Sequence, residues 1–590
     1  MKPCVLRSFC IFSSALLSAM LAPVAHAQAV STPAPPTMEH DVAVPMRDGT
    51  ILRADIYRPA GEGKFPVVVT RTPYGKGSEY GMGLKAASAG IVYISEDCRG
   101  RYTSAGQWYP YRVEGNDGFD TVEWAAALPY SNGKVAVSGG SYAGVTALLA
   151  AASQPPHLVA ASILESGADY YNGWSYIGGV LQQNFIETWT SVLSFSSIPA
   201  PNGGFGELGH SWVYNQDLPI SQYPVAKGAT QKETGFFLDY LAHPSYDSYW
   251  QSLSANPAKI KVPVLMIAGW YDQFSQEAIT TFNNIRALGQ SEAARRQSRL
   301  LVGPWTHGGF TRVQGTVDFG EGSVKDVVTE SLNWLKSQLL EGTPQPSASS
   351  TVSYFTMGAN VWKSSEAWPP KPTHPTALLL DSGGHANTLT GDGVLLFSAS
   401  ATHAPSDSFT YDPTHPAPTT GGGLCCGIVA PGPFSQRVVE ERKDVLVYST
   451  PVLSKDLEVS GKISLHLFVS SEAVDTDFTG KLVDVAADGS THNVCDGILR
   501  MRYAKSLSET HLHKPGEIVE LTVELGSTSN TFLAGHRLRV EISSSNFPKF
   551  ARNLNNGEDG YHTIQGQTVS NVIWHDKNRP SKLIVDIATP

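Results

Sequence analysis

The sequence predicts an α/β protein with a mainly parallel sheet, a helical insertion over one edge, and an all-β C-terminal domain. Three observations carry that expectation. Short β-branched apolar runs alternate with helical patterns from about residue 40 to 345. A stretch rich in Trp, Tyr, Phe and Gly, 168–254, interrupts the alternation. Beyond 345, short alternating runs separated by turn residues replace it, with almost no helical spacing.

The first 27 residues have the three parts of a signal peptide. Lys2 and Arg7 supply the positive start, 9–21 the apolar stretch, and Ala25-His26-Ala27 the cleavage site. The expected product is periplasmic or secreted, has no membrane anchor, and begins with a flexible segment, 28–38. No later apolar run is long enough to cross a bilayer. A hairpin follows, 41–45 and 51–57, around Met46-Arg47-Asp48-Gly49. The runs 65–70, 91–94, 135–137, 262–268 and 299–302 read as strands buried on both faces. Helical spacing marks 116–128 and 142–152. These place a core at 39–167 and 255–345, and a cap at 168–254 with helical stretches such as 178–193. Pro/Ser-rich segments, 343–350 and 369–375, open a β domain at 346–590, with strands such as 457–469, 480–485, 518–525, 536–543 and 581–587.

Of the 590 residues, 53 are acidic and 43 basic, giving a net charge of −10. With no basic cluster, nucleic acid is excluded as a partner class. Without Cys4 and Cys10 of the leader, Cys98, Cys425, Cys426 and Cys495 remain. They allow three pairings, one of them a bridge between neighbours 425 and 426, or free buried thiols. There is no HExxH, no paired Cys/His ligand spacing and no phosphate-binding loop, so the sequence calls for no metal and no cofactor. Asp475 and Asp477 are expected to serve a turn, and Asp484 a strand face, in preference to a cation site. Oligomeric state leaves no mark in the sequence.

The strongest chemical signal is Ser138-Gly139-Gly140-Ser141-Tyr142-Ala143-Gly144 between a buried strand and a helix. Glycine-rich turns arise by chance; strand, turn and helix in register point to a nucleophile elbow at Ser141. The next helix offers its first amides, from Tyr142 onward, to an oxyanion. A serine hydroxyl needs a base, and the base an orienting acid. Strand 262–268 runs into Asp272 and strand 299–302 into His307, both beyond the carboxyl end where such sheets place their sites. Tyr74, just after 65–70, reaches the same edge; by composition alone it is a structural tyrosine.

These segments resemble the cocaine esterase and cephalosporin acylase family of α/β-hydrolases (the CocE/NonD type). That family is related to X-prolyl dipeptidyl peptidases and α-amino acid ester hydrolases. The resemblance spans nearly the whole mature chain. It is carried by RTPYGK (71–76), EDCRGRYTSAGQW (96–108), GGSYAG (139–144), GWYDQF (269–274) and GPWTH (303–307). In the last domain DTDFTGKLVDV (475–485), CDGILRMRY (495–503) and HRLRVEISSSNFP (536–548) match as well. It implies an α/β-hydrolase core, a helical cap and a C-terminal jelly roll of X-Pro dipeptidyl-peptidase type. It carries over Ser141, Asp272 and His307 as triad, and Tyr74 with the Tyr142 backbone as oxyanion donors. A glycine at 144 instead of 143 is the family's own spacing.

The expected activity is cleavage of a small-molecule ester or amide through an acyl-enzyme. Trp174, Phe185, Trp189 and Phe274 suit an apolar or aromatic acyl group, unless they are only the cap's own core. An X-prolyl dipeptidyl peptidase or α-amino acid ester hydrolase is the alternative. Both must hold a substrate ammonium, and the acids in and around the cap (Glu165, Asp169, Glu187, Glu207, Asp217, Glu233, Asp239, Asp247) are scattered. A non-catalytic carbohydrate-binding protein is the alternative of another class.

Overall fold

The computed structural model describes residues 35–195, 217–223, 231–340, 351–398 and 404–588. The expected signal peptide lies outside them. β-Branched runs too apolar to face water on either side form the centre of a ten-stranded sheet. Its strands are β1 (Thr37–Pro45), β2 (Ile51–Arg58), β3 (Phe65–Thr72), β4 (Val92–Asp97) and β5 (Ser131–Gly140). They continue as β6 (Leu158–Leu164), β7 (Val264–Tyr271), β8 (Arg299–Thr306), β9 (Val352–Thr356) and β10 (Val361–Ser365). Side by side the order is β1-β2-β4-β3-β5-β6-β7-β8-β9-β10. Every pair from β4 to β9 is parallel, and antiparallel pairs close both edges.

Two boundaries differ from expectation. Thr37 and Met38, placed in the flexible segment, pair with Arg58 and Tyr57. The core sheet continues to Ser365, past the expected end at 345, because β9 docks parallel on β8.

Helices α1 (Tyr80–Ser88), α2 (Glu114–Ala126) and α3 (Tyr142–Ser153) connect strands in the first half. Between β6 and β7 the cap contributes α4 (Gln183–Phe195), α5 (Gln231–Ala242) and α6 (Ser248–Leu253). The expected helix over 178–193 starts later, after a two-residue hairpin, Tyr176–Ile177 with Val180–Leu181. Its turn needs glycine: Gly178 has φ 54°, and a Cβ there would sit 2.0 Å from the Ile498 carbonyl oxygen. Helix α7 (Ser275–Leu288) follows β7. The C-terminal part is an eleven-stranded, mainly antiparallel assembly among the described residues, as the alternating runs predict.

Behind the β5–α3 turn lies a buried ionic cluster. Arg71, 3 % exposed at the end of β3, donates from Nε to Glu96 (2.6 Å) and from one terminal nitrogen to Glu114 (2.8 Å). Its carbonyl accepts the Thr146 hydroxyl of α3 at 2.9 Å. Nearby Lys76 pairs with Asp97, and Arg99 with Asp117. The Arg71→Met variant leaves two buried carboxylates without their cation. It should lose about 3–5 kcal/mol of unfolding free energy in urea at neutral pH. A loss below about 1 kcal/mol would mean that those carboxylates find other compensation.

Candidate active site

Strand β5 ends on Gly140, and Ser141 takes φ 55°, ψ −127° before α3 begins. That strained conformation is what a nucleophile elbow requires. It survives because neighbours cannot carry side chains. A Cβ on Gly139 would meet the Ala143 carbonyl carbon at 2.3 Å, and one on Gly144 the Ser166 Cβ at 2.8 Å. The Ser141 amide donates to the Leu164 carbonyl at 2.9 Å, tying the turn to β6. Tyr142, first residue of α3, has no intrahelical acceptor for its own amide. Its side chain is spent on structure, accepting from the Tyr111 amide and donating to Glu114.

Tyr74 stands beside the elbow. Its hydroxyl accepts from Trp189 Nε1 at 2.9 Å and lies near enough to the Ser141 hydroxyl for the serine to influence its titration. Burial, opposed by Trp189 and Ser141, raises the phenol to about 12, so it stays an O–H donor at neutral pH. Pro73, whose carbonyl accepts from Arg101 Nε, holds the loop in place.

Two strands further along the same edge, β7 and β8 deliver Asp272 and His307. The His307 Nδ1 lies 2.8 Å from Asp272 Oδ1, which leaves Nε2 as the ring's free nitrogen. The structure adds a second carboxylate. Glu165, immediately after β6 at φ 50°, lies 3.5 Å from the same Nδ1 and accepts the Gly308 amide on both oxygens (3.0 and 2.8 Å). By sequence it was one of the scattered acids. Its place at the carboxyl end of β6, the edge that yields Ser141, Asp272 and His307, was the available signal. Burial pushes the Glu165 carboxyl up, against the attraction of His307. Burial alone would lower the imidazole, but Glu165 and Asp272 together raise it well above the ordinary histidine value.

The four aromatics named from sequence form one continuous patch. Trp174 stacks on Phe274 (4.2 Å between ring centres), and Phe185 stacks on Trp189 (5.9 Å). Phe274 meets the His307 ring edge-on at 5.3 Å, and Trp189 touches Tyr74. All four are at most 3 % exposed, so they pack as cap core while abutting the site.

One neighbour was invisible in the sequence. Cys425 and Cys426 form a vicinal disulfide, while Cys98 and Cys495 are free thiols. The two sulfurs and a His307 ring nitrogen lie within 4.8 Å of one another. The C-terminal domain thus reaches over the site. The Asp475 and Asp477 carboxylates are buried on Arg502 and Arg500, ion pairs in place of the expected turn, and Asp484 lies on a strand, as expected, and bonds His536.

A family model described as X-Pro dipeptidyl-peptidase (S15 family) matches residues 48–309. One described as the X-Pro dipeptidyl-peptidase C-terminal non-catalytic domain matches 347–584. The chain is 35% identical over 541 residues to the cocaine esterase of Rhodococcus sp. (strain MB1 Bresler), covering 88% of this chain and 92% of that one. The chain belongs to this S15 and cocaine esterase family of serine hydrolases. Among solved structures, it is similar to an aminopeptidase from a marine sediment archaeon, Thaumarchaeota archaeon. There the TM-score is 0.79 at 25% identity, over 94% of this chain and 97% of that one. An α-amino acid ester hydrolase shares the fold, with TM-score 0.81 at 23% identity over 97% and 100% of the two chains. Membership of a hydrolase family sets aside the carbohydrate-binding alternative.

For this S15-family hydrolase the second carboxylate has a measurable sign. An imidazole acting as base must be neutral, so a raised pKa places the acid limb of kcat/KM at higher pH. In Glu165→Gln one of the two stabilising charges is gone. The limb should move toward lower pH by about one unit, in a profile measured between pH 5 and 9. A limb that stays in place would show that Glu165 carries no charge while His307 titrates.

Proposed function

We propose that this serine hydrolase is an exported esterase or acylase for apolar or aromatic acyl groups, with Ser141 as nucleophile, His307 as base and Asp272 orienting the base. The observation that carries it is the Asp272–His307 bond of 2.8 Å at the same sheet edge as a serine held in the strained elbow conformation, φ 55° and ψ −127°. In the proposed reaction the Nε2 of His307 takes the Ser141 proton as the hydroxyl attacks the carbonyl carbon. The tetrahedral oxyanion is held by the Tyr74 hydroxyl and the Tyr142 amide. Imidazolium then protonates the leaving alcohol or amine. Water, deprotonated by the same nitrogen, releases the acid and restores the serine.

The acyl preference rests on what surrounds the serine. Phe274, Trp174, Phe185 and Trp189 form a run of ring contacts from His307 to Trp189, whose N–H reaches the Tyr74 hydroxyl. The cocaine esterase relative, named for an ester substrate, points the same way. Export rests on the charged, apolar and A-x-A parts of the first 27 residues.

The panel that tests this uses the mature protein on p-nitrophenyl acyl esters, benzoyl esters, phenylglycine methyl ester, glycyl-prolyl nitroanilide and a glutaryl amide. Simple and aromatic esters should turn over fastest, and Ser141→Ala should lose about 10⁴-fold or more. Faster turnover of the amine-bearing substrates would replace the esterase assignment with a dipeptidyl-peptidase or amino ester hydrolase. Tyr74→Phe should lower kcat by about 10²–10³-fold, with a stability loss of only about 1–3 kcal/mol from the unpaired Trp189 N–H; unchanged turnover would remove Tyr74 from the mechanism.

A further inference from the structure

The vicinal pair lies on a loop of the C-terminal domain that is fastened from both sides. Gly422 and Gly432 exchange backbone hydrogen bonds at its base (2.8 and 3.0 Å). The Cys425 amide donates to Gln273 Oε1 in the turn after β7, and the Ile428 amide to Asn184 Oδ1 of α4. There is no slack: a Cβ on Gly423 would lie 3.1 Å from the Asp272 carbonyl oxygen, and one on Gly427 2.0 Å from the Asn184 side chain. The pair is therefore held against His307 by both the core and the cap. Cys425 is buried in the aromatic patch, and Cys426 is exposed, so a small reductant can reach the bridge.

We propose that the reduced Cys425–Cys426 pair and His307 form a binding site for a soft divalent cation, and that occupancy of this site switches hydrolysis off. Two thiolates and an imidazole are the donor set that zinc and cadmium prefer. With metal–sulfur bonds of about 2.3 Å, ligand atoms gathered within 4.8 Å need only side-chain rotation to close on one ion. Asp272 occupies Nδ1, so the third ligand is Nε2, the nitrogen assigned to deprotonate Ser141. Such an Asp–His–metal arrangement also orients the imidazole toward the ion. The chemistry balances with a small dithiol as reductant. The dithiol gives two electrons and two protons to the Cys425–Cys426 bond and becomes a cyclic disulfide. The cation then displaces the two thiol protons to solvent, and both charges of the ion are met by two thiolates. As the disulfide, the pair has no thiolate to offer, so the site exists only in the reduced state.

This inference rests on His307 as the base, and the experiment separates the two. The protein is reduced with a dithiol, freed of it under anaerobic conditions, and titrated with cadmium chloride. Ester hydrolysis and the ultraviolet thiolate-to-cadmium absorption are followed together. One equivalent should raise that absorption and lower hydrolysis by on the order of 100-fold, and a chelator should restore it. The oxidised protein should show neither change. Ser141→Ala should keep the absorption, which reports the site without any turnover. The double variant Cys425→Ser, Cys426→Ser retains Cys98 and Cys495 and should lose the response. Full activity of the reduced protein in equimolar cadmium would overturn the proposal, as would an equal response from the oxidised protein or the double serine variant.

Discussion

Everything at the carboxyl edge hangs from one buried guanidinium. Arg71 closes β3, and the next few residues carry Tyr74; its side chain bonds Glu96 at the end of β4 and Glu114 at the start of α2. Through its carbonyl it also holds Thr146 of the elbow helix. A cation taken out of water costs several kcal/mol unless it is paired, and here two carboxylates and a carbonyl meet Nε and one terminal nitrogen, while the other terminal nitrogen lies 3.7 Å from Asp117. The benefit is positional. Tyr74 and the Ser141 elbow refer to the same fixed group, so neither can drift relative to the other. The long motifs 71–76 and 96–108 are, on this view, scaffold: Lys76 binds Asp97, Arg99 binds Asp117, and Arg101 reaches the Pro73 carbonyl and Trp108.

The sheet was legible because its strands are short, β-branched and bounded by turn residues. Runs predicted at 65–70, 135–137 and 299–302 each gain a few residues in the structure, as polar ends such as Ser138 join the ladder. The elbow was legible because its glycines, its serine and its helix are consecutive. What escaped is whatever depends on distant partners. Strand β10, with its half-polar Val361–Ser365, exists as a strand only by pairing with β9. Glu165 looked like any loop acid until Gly308, over a hundred residues on, brought its amide and His307. The cysteine pair lies still further along the chain, and no local pattern announces a contact with a histidine in another domain.

The C-terminal part matches a domain described as non-catalytic, yet it is not a bystander. Tyr271 donates to the Asn493 carbonyl, Gln276 to the Ser527 carbonyl, and the Gly178 turn of the cap receives the Arg500 amide. These contacts flank Asp272 on either side of its turn. Removing the β domain would uncover His307, Asp272 and part of the aromatic patch together.

The cap leaves the sheet after β6 and returns at β7, two strands that are neighbours and parallel, with Ala161 paired to Val264. Such an insertion does not disturb strand order, whatever its length. The Ser141–Leu164 bond and the Asp272–His307 bond are both made by residues outside the insertion. A lineage can therefore lengthen, shorten or rebuild the cap while inheriting Ser141, Asp272 and His307 unchanged, provided a donor such as Trp189 still meets the Tyr74 hydroxyl. Diversity of substrate within one architecture becomes a matter of editing a single detachable segment of chain.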